Sequence, residues 1–242
     1  MRRLPLLLAL AALSACDRPV SQTDQALSAT GRTIAMSGGA GGAAKACFSC
    51  HGLDGAGDGV STPRLAGLDV GYLQKQMEDY AAGLRLDPVM TPVAKPLDDQ
   101  ARRAVVAYYA GLPSSDGGGL AGPAPALWRD GDPARGLAPC AACHGDQGQG
   151  VGGGQPALAG QPPAYIREQM DRWRLAKRRN DPRGAMGDIA RKLTPAEVDA
   201  IAAWLRRQPA SPSPASDAAS ASGAAAAAAR SAASREGRRL DR

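Results

Sequence analysis

At 242 residues the chain has room for one large domain or two small ones. Aromatic residues make up 4% of it, with a single Phe, so core volume has to come from elsewhere, and a large apolar cofactor would supply it. The formal charge of +6 comes without a basic stripe interleaved with aromatics, which argues against nucleic acid as a partner.

The N-terminus reads as an address. Met1-Arg2-Arg3 is a short positive region, and Leu4 to Leu13 is an apolar run too short to span a bilayer. The run ends in Leu13-Ser14-Ala15-Cys16, which resembles a bacterial lipobox. The expectation is a lipoprotein-type signal peptide over residues 1–15, with Cys16 lipidated as the first mature residue and a polar tether over 16–30. The chain would then sit in the periplasm, held by lipid to the inner membrane, for which Asp17 resembles a retention signal. An ordinary signal peptide with an incidental Cys is the alternative.

Five cysteines are present: Cys16, Cys47, Cys50, Cys140 and Cys143. One lipidated Cys and two Cys-x-x-Cys pairs leave none over for a disulfide or a catalytic thiol. Cys47-Phe48-Ser49-Cys50-His51 and Cys140-Ala141-Ala142-Cys143-His144 both match the pattern for covalent attachment of haem c. The spacing is one helical turn, so both sulfurs reach the haem vinyl groups from one side. The following His can then bind iron through Nε2. His51 and His144 are the chain's two histidines, and each follows such a pair. A zinc site made of four Cys would leave both His unexplained, and a thioredoxin-like reading needs a βαβ pattern that the sequence lacks.

The two motifs lie 93 residues apart, and so does much else. Pro63-Arg64-Leu65-Ala66-Gly67 recurs as Pro156-Ala157-Leu158-Ala159-Gly160, Tyr72 as Tyr165, and Gln76-Met77 as Gln169-Met170. Beyond this the offset is 96, pairing Met90 with Met186, Leu97 with Leu193, Tyr108 with Trp204 and Pro113 with Pro209. The chain is therefore two copies of one unit, over 31–113 and 124–209, with a Gly- and Pro-rich linker over 114–123. Residues 210–242, rich in Ala, Ser, Pro and Arg, are expected to form a disordered tail.

Each copy reads as helical. Gly71 to Leu84 places Tyr72, Leu73, Gln76, Met77 and Tyr80 on one stripe, and Asp98 to Gly111 does the same with Ala101, Val105, Tyr108 and Leu112. Thr194-Pro195-Ala196-Glu197 is a helix start, with a cap, a first-turn Pro and a Glu three residues after the cap.

Two His for two haems exclude bis-histidine ligation at both irons, leaving Met, Lys, Asn, water or nothing for the sixth position. Met77 and Met170 lie on the apolar stripe of a helix, where Met normally fills core. Met90 and Met186 follow Asp87-Pro88 and Asp181-Pro182 in stretches read as non-helical, from which a sulfur can reach the opposite haem face. They are the expected axial ligands.

With these motifs in place, residues 31–209 resemble the cytochrome c4 family, the two-domain dihaem members of the class I cytochromes c. The resemblance implies an all-α fold of two tandem class I domains packed about a pseudo-twofold axis, each wrapped around a covalently bound haem with His/Met ligation. It also implies that the Pro63 and Pro156 carbonyls accept the Nδ1–H bonds of His51 and His144. One departure is that copy one has no counterpart of Trp128 in its first helix, expected over Ile34 to Ala44.

His/Met ligation raises the potential and closes the iron to substrate. The expected function is thus single-electron transfer and not catalysis. Expected donors are a quinol-oxidising complex or a dehydrogenase, and the expected acceptor is a terminal oxidase. The alternative is a cytochrome subunit of a periplasmic dehydrogenase complex, for example a flavin-linked sulfide dehydrogenase. Residues 45–113 carry a net charge of −1 and 128–209 one of +4, the excess coming mainly from Arg172, Arg174, Lys177, Arg178, Arg179 and Arg183. That cluster either pairs internally or docks an acidic partner.

Overall fold

The structure, a computed structural model, describes residues 22–114, 122–152 and 154–210. The signal segment, Cys16, most of the linker and the tail beyond Ala210 lie outside the described residues. Copy one contains α1 (Gln22–Ser37), α2 (Phe48–His51), α3 (Val70–Ala81), α4 (Met90–Ala94) and α5 (Asp99–Ala110). Copy two contains α6 (Ala126–Asp130), α7 (Ala141–His144), α8 (Pro163–Arg174), α9 (Ala185–Lys192) and α10 (Pro195–Arg206). Among the described residues there is no β-strand, only the isolated bridges Asp132–Leu137 and Gly152–Gln155.

The helix starts follow local chemistry. Asp69 and Asp98 cap α3 and α5 by accepting the N–H bonds of Tyr72 and Ala101, each at 2.7 Å. Thr194 and Glu197 form the reciprocal box at the head of α10 that their spacing predicts. Glu197 also takes both Arg135 guanidinium ends, at 2.7 and 3.2 Å, tying the loop before α7 to α10.

The two copies solve one corner differently. In copy one the first helix begins at Gln22, earlier than the expected Ile34, and so takes in residues 22–30 of the expected tether. It crosses α5 at Gly31, where a Cβ would lie 2.0 Å from the Ala104 carbonyl oxygen. Backbone thus meets backbone, with Ala35, Val105, Tyr108 and Tyr109 packed around the crossing. In copy two α6 is a single turn, and the buried Trp128 fills the corner, its ring 5.1 Å from that of Trp204. The aromatic missing from copy one is replaced by a close approach that only glycine permits.

Copy two has one continuous core, with Trp128, Ile166, Met170, Leu193, Ile201, Trp204 and Leu205 in contact. In copy one Leu68, Leu73, Val106 and Ala110 form a second cluster that includes Ala157 of copy two, so this core crosses the seam between the copies.

The seam follows the repeat. The buried Arg85 and Arg178, 93 residues apart, each stack on an aromatic of their own copy, Tyr80 at 4.6 Å and Trp173 at 4.0 Å. Each donates to both Gln76 and Gln169, another equivalent pair, over 2.7–3.2 Å. Asn180 donates to Asp79 at 2.6 Å, and Arg172 pairs with Asp87 at 3.1 Å. Arg64, 2% exposed, bonds the equivalent carbonyls of Ala66 and Ala159, and its main chain exchanges two 3.0 Å bonds with Gln161. Burial pushes its pKa down to about 10.

Candidate functional site: two equivalent haem-attachment turns

Each attachment motif forms one turn of helix. The N–H of His51 donates to the Cys47 carbonyl, and that of His144 to the Cys140 carbonyl, both at 2.9 Å. Gly52 and Gly145 end these turns at φ 74 and 80, redirecting the chain into a return loop. The two loops are pinned alike. The Gly55 carbonyl accepts the N–H groups of Leu65 and Ala66, and the Gly148 carbonyl those of Leu158 and Ala159, over 2.7–3.1 Å.

This pinning delivers the Pro63 and Pro156 carbonyls to His51 and His144, each Nδ1 lying 3.0 Å from its proline oxygen. Nδ1–H donates, so the lone pair of neutral imidazole is on Nε2, which has no hydrogen-bond partner among the described residues. Burial pushes both imidazole pKa values down, though the proline carbonyls oppose the shift. Both shifts favour the neutral ring. Cys47 and Cys140 are partly buried, with their thiols shifted up by burial, while Cys50 and Cys143 are exposed. Two thiols one turn apart, an oriented imidazole and scarce aromatic bulk fit a covalently attached haem.

The loop after each His is held by an aromatic donor, from a different helix in each copy. Tyr108 Oη donates to the Leu53 carbonyl at 2.6 Å, whereas Trp128 Nε1 donates to the equivalent Asp146 carbonyl at 3.1 Å. Tyr109 adds a 3.0 Å bond to the Gly52 carbonyl in copy one.

The methionines separate into two kinds. Met77 packs against both apolar clusters of copy one, and Met170 is buried in the core of copy two. Met90 and Met186 are only partly buried and stand in the first turns of α4 and α9, not in the non-helical stretches expected. The Asp-Pro turns explain the difference. Asp87 Oδ1 accepts the N–H of Met90 at 2.8 Å, and Asp181 Oδ2 that of Gly187 at 3.1 Å, so each carboxylate satisfies a backbone N–H in the first turn of the short helix that carries the methionine. The three extra residues of copy two coincide with a 3-10 turn, Pro182–Gly184, in which Arg183 takes the left-handed φ of 59.

The cationic stretch divides as well. Arg178 is buried in the seam, Arg172 pairs with Asp87 and Glu168, and Arg174 bonds Asp171 and the carbonyls of Ala190 and Leu193. These three are engaged within the chain, which is the internal-pairing alternative for that half of the cluster. Lys177, Arg179 and Arg183 remain exposed.

Two copies of one helical unit, each built to hold a haem c through Cys-x-x-Cys-His, define a tandem dihaem cytochrome. The cytochrome c family profile matches residues 37–112 and 137–209. The chain is 41% identical over 187 residues to the "thiosulfate dehydrogenase electron acceptor" of Stutzerimonas stutzeri strain A1501, covering 74% of this chain and 87% of that protein. Reduced recombinant cytochrome c4 from Pseudomonas stutzeri superposes with a TM-score of 0.64 at 30% identity, over 74% of this chain and 97% of the other. Thiosulfate dehydrogenase (TsdBA) from Marichromatium purpuratum gives 0.65 at 39% identity, over 76% of this chain but only 40% of that longer one. The protein belongs to the cytochrome c family, as a two-domain dihaem member of the cytochrome c4 type, and carries two covalently bound haem c groups in an electron-transfer role.

Proposed function

We propose that this chain is a lipid-anchored periplasmic cytochrome that takes single electrons from a thiosulfate-oxidising dehydrogenase and passes them towards a terminal oxidase. The observation that carries the reading is the 41% identity, over 87% of its length, to a relative named for accepting electrons from thiosulfate dehydrogenase. The matching of this chain to 40% of the longer TsdBA chain supports it too. The alternative of a cytochrome subunit within a dehydrogenase complex differs only in how long the two proteins stay together.

Bound haem supplies the one-electron iron couple. We assign Cys47, Cys50, Cys140 and Cys143 as the residues that would form the thioether bonds, and His51 and His144 together with Met90 and Met186 as those that would ligate the two irons. Pro63 and Pro156 fix the histidine rings, each through a 3.0 Å bond. Iron held by both His and Met would exchange electrons without binding substrate. The test mixes the oxidised cytochrome, thiosulfate and a thiosulfate dehydrogenase, and follows the reduced α-band. Reduction is expected only when all three are present. Failure of the dehydrogenase to reduce the cytochrome, or oxidation of thiosulfate by the cytochrome alone, contradicts the proposal.

The anchor rests on Cys16, and no described helix is long and apolar enough to cross a membrane. Two or three acyl chains give stable attachment where one does not. Cys16→Ser is expected to move the protein from the membrane fraction to the soluble periplasm or to block its maturation. A native protein already soluble, with an unmodified mature N-terminus, rules the anchor out.

A further inference from the structure

Two adjoining grooves run along the seam beside the buried arginines, sharing Pro88, Arg172 and Lys177. Neither lining includes a Cys or His of the attachment motifs, nor Met90 or Met186. Their apolar surface comes from both copies, with Leu86, Pro88 and Pro92 on one side and Leu175 on the other. Leu86 and Leu175 are 61% and 62% exposed, and Val89, next to the groove in sequence, is 60% exposed. Large apolar residues gathered at such exposure mark a contact surface.

Among the lining residues the charges balance, Arg167, Arg172 and Lys177 against Asp87, Glu168 and Asp171, and the surplus cation is Arg179, exposed just outside the lining in the same loop as Lys177. The acidic residues Asp87 and Glu168 both bind Arg172, and Asp171 binds Arg174. Lys177 and Arg179 have no acidic partner among the described residues. The repeat sharpens the contrast, because Lys177 and Arg179 stand where copy one has Leu84 and Leu86. The same loop is apolar in one copy and cationic in the other. The copy-one segment leads directly into Met90, and the copy-two segment towards Met186.

We propose that this seam groove is the docking surface for the electron-donating dehydrogenase, which meets it with an apolar patch rimmed by carboxylates. An apolar centre with a charged rim suits a transient redox encounter, in which the rim mainly sets the association rate. The tail of this chain is not the complementary occupant, since residues 211–242 carry a net charge of +2. A second copy would bring the same cations against themselves.

The proposal rests on the function proposed above, and the experiment separates the two. Stopped-flow reduction by thiosulfate-reduced thiosulfate dehydrogenase is measured for the wild type, K177E/R179E and L86S/L175S, after their spectra and midpoint potentials are shown to match. The charge reversal is expected to slow association by about ten-fold at low salt, converging on the wild type at high salt. The Leu pair is expected to slow it several-fold at every salt concentration. Wild-type rates for both variants, or a salt-independent loss in K177E/R179E, overturn the docking surface while leaving the function standing. If the wild type itself is not reduced, the donor assignment fails, and with it this surface as that donor's dock.

Discussion

Met186→Ala and Met90→Ala are each expected to abolish about half of the weak near-infrared sulfur-to-iron band and to lower the potential of one haem. The proposed ligation predicts the halving, because each of the two equivalent residues would serve one of two like sites. The direction follows from ligand chemistry: thioether sulfur stabilises reduced iron, and axial ligation spans roughly 0.8 V across haem proteins. A shift on the order of a tenth of a volt or more is therefore in reach of one substitution. Met77→Ala and Met170→Ala should leave the band intact and cost stability instead, about 2–5 kcal/mol for the buried Met170 and less for the partly buried Met77. The core contacts of Met77 and Met170 underlie that contrast. Potentiometric titration with near-infrared detection of all four variants checks it. Loss of the band in Met77→Ala or Met170→Ala would reverse the ligand assignment.

Much of this was legible in the sequence because the chain states it twice. A pattern recurring at offsets of 93 and 96 residues gave the two units and the extra three residues, and Cys-x-x-Cys-His gave the attachment turns. Helix starts were readable where a side chain does local work, as at Asp98 and Thr194. The start of α1 was not, because residues 22–33 show little apolar periodicity and the signal that matters is one glycine. Gly31 reads as a helix breaker until Ala104 is known to lie against it. The first turns of α4 and α9 are hidden for a related reason: an Asp-Pro pair looks like a loop, and only the fold shows its carboxylate on a first-turn N–H, that of Met90 or Gly187. The resemblance implies that the copies pack together, but the residues of the seam are not legible in the sequence. Arg85 and Arg178 obey the repeat, yet a cation in a sequence is by default on the surface, and only the fold shows them 4% and 5% exposed. Gln76 falls on the stripe that the spacing predicts, yet its partners are two guanidinium groups from different copies.

Arg178→Met is expected to loosen the seam and to destabilise the protein by about 2–3 kcal/mol. Arg178 donates to Gln169 at 2.8 Å, to Asn180 at 2.9 Å and to Gln76 at 3.2 Å, and covers the Trp173 ring. Hydrogen bonds from a charged donor contribute about 1.5–3 kcal/mol each, and a buried cation–π contact up to about 2. Two effects offset that sum. Removing a buried guanidinium relieves its desolvation and its repulsion from Arg85. Gln76 and Gln169 also keep Arg85 as a donor, at 2.8 and 2.7 Å, so neither amide oxygen is orphaned. Arg178→Lys should do little better than Met, because an ammonium lacks the planar fork that reaches two amides at once. Calorimetry should show the wild type unfolding with the copies coupled and Arg178→Met unfolding in two separated transitions. A double-mutant cycle with Gln76→Leu isolates the bond across the seam, with an expected coupling of about 1 kcal/mol. A coupling within about 0.3 kcal/mol of zero, or a Lys variant as stable as the wild type, would mean that apolar contacts such as those of Ala157 hold the copies together and the arginine fork does not.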